Sequence, residues 1–147
     1  MLLVIGYGNP LRSDDGVGQV VVERLKADGP IEGLELLACH QLLPEHAEPI
    51  SQAEQVVFVD AAVGGPPGAI TVREITAVPG DSAGLIHDFT PQALLAYAGL
   101  LYGRSPEAYL ITVNGHSFDH DETLTDEMTA VLPKLLNLVV EFLDDLN

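Results

Sequence analysis

Four apolar residues, Leu2-Leu3-Val4-Ile5, run without a polar break into Gly6-Tyr7-Gly8-Asn9-Pro10. This is the pattern of a buried strand, expected over Leu2–Tyr7, that ends in a tight turn. Ser13-Asp14-Asp15-Gly16-Val17-Gly18 follows. From residue 15 to 26 the apolar positions Val17, Val20, Val21 and Leu25 recur at helical spacing, with Glu23, Arg24 and Lys26 facing away. Asp28-Gly29-Pro30 ends that helix. The spacing then predicts a short strand over 34–38, a helix from Pro44 to about residue 50, and a third strand over 55–59 closed by Asp60. The run Val56-Val57-Phe58-Val59 is apolar on both faces, as in a central parallel strand covered by helices on either side. After the turn Gly64-Gly65-Pro66-Pro67-Gly68, residues 69–75 alternate like an edge or antiparallel strand. Residues 78–85 read as a loop, broken by Pro79-Gly80 and Gly84. Thr90 caps a helix that opens at Pro91 and turns Leu94, Leu95, Ala98 and Leu101 inward. A fifth strand over 108–113, a polar loop over 114–122 and a long helix over 124–146, interrupted or restarted near Pro133, complete the pattern.

Strands and helices that alternate in this way predict an α/β fold, a three-layer α/β/α sandwich around a five-stranded, mostly parallel twisted sheet. The 147 residues hold no repeat and no linker-like stretch, so one domain over 1–147 is expected. Hydrophobic residues make up 47% of the chain, enough for a true core and too many for a disordered segment.

Charge narrows the partners. Asp and Glu number 22 against 6 Lys and Arg, a formal net charge of −16. A broad nucleic-acid footprint needs clustered basic residues, and anionic lipid would be repelled. A basic, cationic or metal-bearing partner fits this balance better. Cys39 is the only cysteine, which rules out an internal disulfide and favours a reducing compartment. It reads as a small buried hydrophobe rather than a nucleophile. No apolar run reaches membrane-spanning length, and Leu2–Tyr7 lacks the basic region and cleavage site of a signal peptide, so a cytoplasmic protein is expected.

In open α/β sheets, ligands bind beyond the carboxyl ends of the strands. A glycine turn that leads into a helix ordinarily cradles a phosphate there, whereas this chain supplies two carboxylates, Asp14 and Asp15. Asp60 closes a strand expected to lie beside or near the first, and His87 precedes the Thr90-Pro91 helix. Asp15, Asp60 and His87 thus form a candidate cluster of two carboxylates and one imidazole, a ligand set suited to Zn²⁺ or Ni²⁺. Each residue also has a simpler reading. Either Asp14 or Asp15 can cap the first helix, Asp60 can bond to turn N–H groups, and a lone loop His is usually solvated. His116 and His120, with Asp119 and Asp121, make a second acidic-imidazole loop, read as solvated rather than metal-binding. The chain has no third glycine for a dinucleotide fingerprint, no phosphate-loop Gly-Lys-Ser/Thr, no His-Glu-x-x-His and no Gly-x-Ser-x-Gly.

The stretch from Gly6 to Gly18 resembles the N-terminal signature of the hydrogenase maturation proteases, and Val57-Phe58-Val59-Asp60-Ala61 resembles their second. The resemblance extends over nearly the whole chain. Cys39-His40-Gln41-Leu42-Leu43-Pro44-Glu45 is similar to a marker of the subgroup that serves bidirectional, NAD(P)-linked hydrogenases. The resemblance implies an endopeptidase that removes a short C-terminal extension from the large-subunit precursor of a [NiFe] hydrogenase after nickel insertion. It also implies that Asp15 and Asp60 face the metal and take part in catalysis, with a downstream His as third ligand. In some relatives that His stands where this chain has Gln92; in others it stands at His87. Where many relatives carry Asp-Gly-Gly-Thr, this chain has Cys39-His40-Gln41-Leu42, which makes His40 a further candidate. The resemblance implies further that the nickel comes with the substrate, so that the protease needs no tight metal of its own, though other divalent ions could occupy the site. Asp14 is expected to be the expendable acid of the pair, a cap or turn-former, and a monomer is expected. A peptidyl-tRNA hydrolase-like esterase shares the strand-Gly-x-Gly-Asn-Pro opening, but it would need a basic surface and an early His, and residues 11–25 hold none. A non-catalytic metal- or partner-binding module is the other alternative.

Overall fold

A computed structural model describes residues 1–79 and 89–146. Five strands, β1 (Leu2–Tyr7), β2 (Leu34–Cys39), β3 (Gln55–Ala62), β4 (Ile70–Ile75) and β5 (Glu107–Asn114), form one sheet in the order β2-β1-β3-β5-β4. β2, β1, β3 and β5 run parallel, and β4 closes one edge antiparallel to β5. The helices are α1 (Val17–Ala27), α2 (Ala47–Gln52), α3 (Pro91–Tyr102) and α4 (Asp126–Leu146). Short 3-10 turns over Ser13–Gly16 and Pro44–His46 lead into α1 and α2.

Because side chains alternate across a strand, the central strands feed two separate cores. Leu2, Val4, Val57, Val59, Ile111 and Val113 pack under α1 and α4. Leu3, Ile5, Val56, Phe58, Ala108 and Leu110 pack under α2 and α3. The expected α/β/α sandwich around a mostly parallel sheet is the architecture found.

Three expectations need correction. α4 runs unbroken through Pro133. Its stripe Met128, Leu132, Leu135, Val139 and Leu143 is buried on both sides of that residue, and this packing outweighs the roughly 3 kcal/mol that an interior proline costs. Leu101 does not turn inward. Leu94, Leu95 and Ala98 fill the buried face of α3, while Leu101 in its last turn is 50% exposed. Asp60 does not close β3, since pairing with β5 continues through Asp60↔Thr112, Ala61↔Val113 and Ala62↔Asn114.

Candidate active site

The glycines of the opening motif set how closely α1 approaches the sheet. A Cβ on Gly6 would overlap the Gly18 carbonyl oxygen, and one on Gly8 would overlap that of Asp15. Gly8 also has a φ of +144°, which disfavours any side chain. Its carbonyl accepts from Gln19 Nε2 at 2.8 Å, which ties the turn to the first turns of α1. The turn therefore serves close packing, and it presents Asp15 beside the end of β1. Asp15 is partly buried, and its Oδ2 accepts the Asn9 N–H at 2.7 Å.

One residue past the last β1–β3 pair, Gly6↔Val59, Tyr7 and Asp60 come side by side. Tyr7 belongs to the α2/α3 face, as does Phe58, two residues before Asp60. Register then extends a polar row across the sheet: Cys39 beside Tyr7, Asp60 beside Thr112, and Thr112 beside Thr71, whose hydroxyls share a 2.6 Å hydrogen bond. Burial pushes the Asp60 carboxyl up to about 7. The Ala61 N–H, 2.7 Å from Oδ1, and the Tyr7 hydroxyl pull it partly back, while the Asp15 charge raises it further. Asp60 in turn adds to the upward push that burial exerts on the Tyr7 phenol. Asp15 and Asp60 are thus brought close enough to feel one another. A buried carboxyl pushed up in this way, with a second acid near it, is one that a cation would favour in its charged form.

His87 lies outside the described residues. His40 is exposed, directly after the end of β2. Cys39 is half-buried, and burial, with the Glu45 charge, raises its thiol to about 11. It is protonated at neutral pH and no nucleophile. His46 is buried and accepts the Leu43 N–H at Nδ1 (2.9 Å), so it works as a local cap. His120, Asp119 and Asp121 are exposed, and Asp121 accepts the Thr123 N–H and hydroxyl, both at 3.0 Å. Among the described residues, no group of three or more His, Cys, Asp or Glu is arranged to hold a metal ion.

Asp14 departs most from expectation. It is wholly buried and, instead of capping the first helix, bonds across the chain to the β5–α4 loop. Oδ2 accepts the N–H groups of His116 (2.8 Å) and Ser117 (3.2 Å), and Oδ1 accepts the Thr125 N–H (2.9 Å). The Thr125 hydroxyl lies 3.1 and 3.0 Å from the two oxygens. The same hydroxyl accepts the Met128 N–H, so Thr125 caps α4 and Asp14 sits at the positive end of that helix. The acid thus lies at the start of α4, not at the start of α1 into which the glycine turn leads. The signal in the sequence was Thr125-Asp126-Glu127, a cap followed by two acids in a first turn. Tyr7 was missed as well, since nothing in an apolar strand marks a phenol that will face a carboxylate across the register.

A search of family models and a search of curated proteins each return no match. Solved structures do match. The [NiFe] hydrogenase maturation protease HycI of Thermococcus kodakarensis is 25% identical, with a TM-score of 0.76 over 97% of this chain and 92% of that one. The hydrogenase-maturating endopeptidase HybD of E. coli is 23% identical, with a TM-score of 0.78 over 98% of this chain and 92% of that one. The hydrogenase 2 maturation peptidase of a Thaumarchaeota archaeon is 24% identical, with a TM-score of 0.71 over 97% of both chains. The structural neighbours of this chain are hydrogenase maturation proteases, and it shares their fold over nearly its whole length.

Proposed function

We propose that this protein is an endopeptidase that removes the C-terminal extension of a [NiFe] hydrogenase large-subunit precursor once nickel is in place. The observation that carries this reading is the pairing of Asp15 and Asp60 at one sheet edge, with Asp60 raised to about 7, in a fold whose solved neighbours are such endopeptidases. Two carboxylates occupy only part of a nickel coordination sphere, so they suit an ion that arrives with ligands from the precursor. Asp15, Asp60 and His87 are the residues we assign to the precursor's nickel, and an acidic protein of net charge −16 draws such a segment in.

Cleavage adds water across one peptide bond. The water oxygen joins the carbonyl carbon, the C–N bond breaks, and the leaving amine takes up a proton. A carboxylate pair at the scissile bond can accept and return that proton. The test is incubation of the purified protein with nickel-loaded and nickel-free precursor. Release of a C-terminal peptide from the loaded form alone is the expected result; equal cleavage of both would remove the nickel checkpoint.

A further inference from the structure

The loop that carries Asp15 and the loop between β5 and α4 are interlocked. Besides the bonds to the Asp14 carboxylate, the Ser13 N–H donates to Asp121 O (2.9 Å), the Asp14 N–H to Ser117 O (3.2 Å) and the Asp121 N–H to Leu11 O (3.1 Å). Arg12 Nε donates to Phe118 O at 3.1 Å. An ionised carboxylate offers about four acceptor sites, and three N–H groups and one hydroxyl meet them here. The His116 ring is not the solvated group expected: its buried Nδ1, without a hydrogen-bond partner of its own, lies 3.8 Å from Asp14 Oδ2. A buried carboxylate bonded this fully is rigid, and removing it would leave three N–H groups unpaired. Ser13, next in the chain, is held at a φ of +53°, a conformation that surrounding structure must impose on a side-chain-bearing residue.

We propose that Asp14 is a positioning residue: by locking residues 9–15 onto the β5–α4 loop and the Thr125 end of α4, it fixes Asp15 in its place beside Asp60. This deepens the processing reading and rests on it for the activity arm alone. The two adjacent acids then have opposite duties, one saturated by the protein and one turned to the substrate.

The experiment compares Asp14→Asn, Thr125→Val and Thr125→Ser, by amide hydrogen exchange and by processing of nickel-loaded precursor. Asn presents a donor to N–H groups, Val removes the hydroxyl, and Ser restores it. In Asp14→Asn and Thr125→Val, exchange in residues 9–15 and 116–125 should rise together, about ten- to a hundredfold, while β3 and β5 amides keep their protection. Both should lose kcat at saturating precursor, and Thr125→Ser should match wild type. If Asp14→Asn does not fold, the Thr125 pair alone decides. Release of one loop without the other, a Thr125→Ser protein that behaves like Thr125→Val, or released loops with full kcat would each overturn the proposal. If wild type leaves the loaded precursor intact, the processing reading fails, and the exchange data alone still decide whether Asp14 locks the loops.

Discussion

Gly18 in the first turn of α1 lies against Val59 of β3 so closely that a Cβ added to it would overlap the Val59 carbonyl oxygen. The same Cβ would come within 2.8 Å of Tyr7 O and 2.9 Å of Tyr7 N. All three obstacles are backbone atoms of central strands, which cannot swing aside as a side chain would. Gly18→Ala should therefore destabilise the fold by about 2–4 kcal/mol. Gly99, in α3, has only Ser105 Cβ near its own added Cβ, at 3.7 Å. Gly99→Ala should stabilise by up to about 1 kcal/mol, because alanine loses less entropy in a helix. Urea midpoints of the two variants should move in opposite directions. A Gly18→Ala protein as stable as wild type would mean that α1 does not dock this closely.

Ser13 supplies a second test of backbone geometry. A φ of +53° costs a side-chain-bearing residue about 1–3 kcal/mol. Ser13→Gly should raise the melting temperature slightly or leave it unchanged. Ser13→Val should lower it, since a β-branched residue fits this region worst. If valine were tolerated as well as glycine, the turn would not hold this conformation in solution.

The pH dependence of stability should report Asp60. Its carboxyl is raised from an ordinary 3.8 to about 7 by burial. Between those values the folded protein holds a proton that the unfolded chain releases, so stability falls as pH rises through this window. The contribution is fully present below pH 4 and lost above about pH 7. Asp60→Asn, which never ionises, should be more stable than wild type at pH 8, and that advantage should shrink toward zero near pH 4. Thermal melts across this range check it, and an advantage that grows on acidification would mean that folding does not raise the Asp60 carboxyl.

The third group at the site is settled by two histidine variants. His87→Ala should abolish processing in a protein that still melts cooperatively. His40→Ala should process at the wild-type rate. The opposite outcome would move the third ligand to the exposed His40, directly after β2.

The sheet was legible from the sequence because β1 and β3 carry apolar runs without a polar break, and period and polarity agree there: β1 is found at its expected bounds and β4 is the antiparallel edge. The nearness of Asp15 to Asp60 was legible as well, since a carboxylate beside so apolar a strand calls for a partner. The role of Asp14 was not. Its donors lie 102 to 111 residues away, and no local pattern announces that a helix start will close over an acid near the N-terminus. Pro133 and Leu101 misled for a related reason. Local rules describe an isolated helix, whereas burial of α4 on the sheet overrides a missing hydrogen bond.

In the proposed reaction Asp15 and Asp60 act on a precursor that already carries nickel. Mass spectrometry of the large subunit, after incubation with wild type or Asp60→Ala and with or without nickel in the precursor, tests it most directly. Loss of the C-terminal extension only where wild type meets nickel-loaded precursor, with Asp60→Ala folded but at least about a hundredfold slower, is the predicted result. Normal processing by Asp60→Ala, or equal processing of nickel-free precursor, would contradict it.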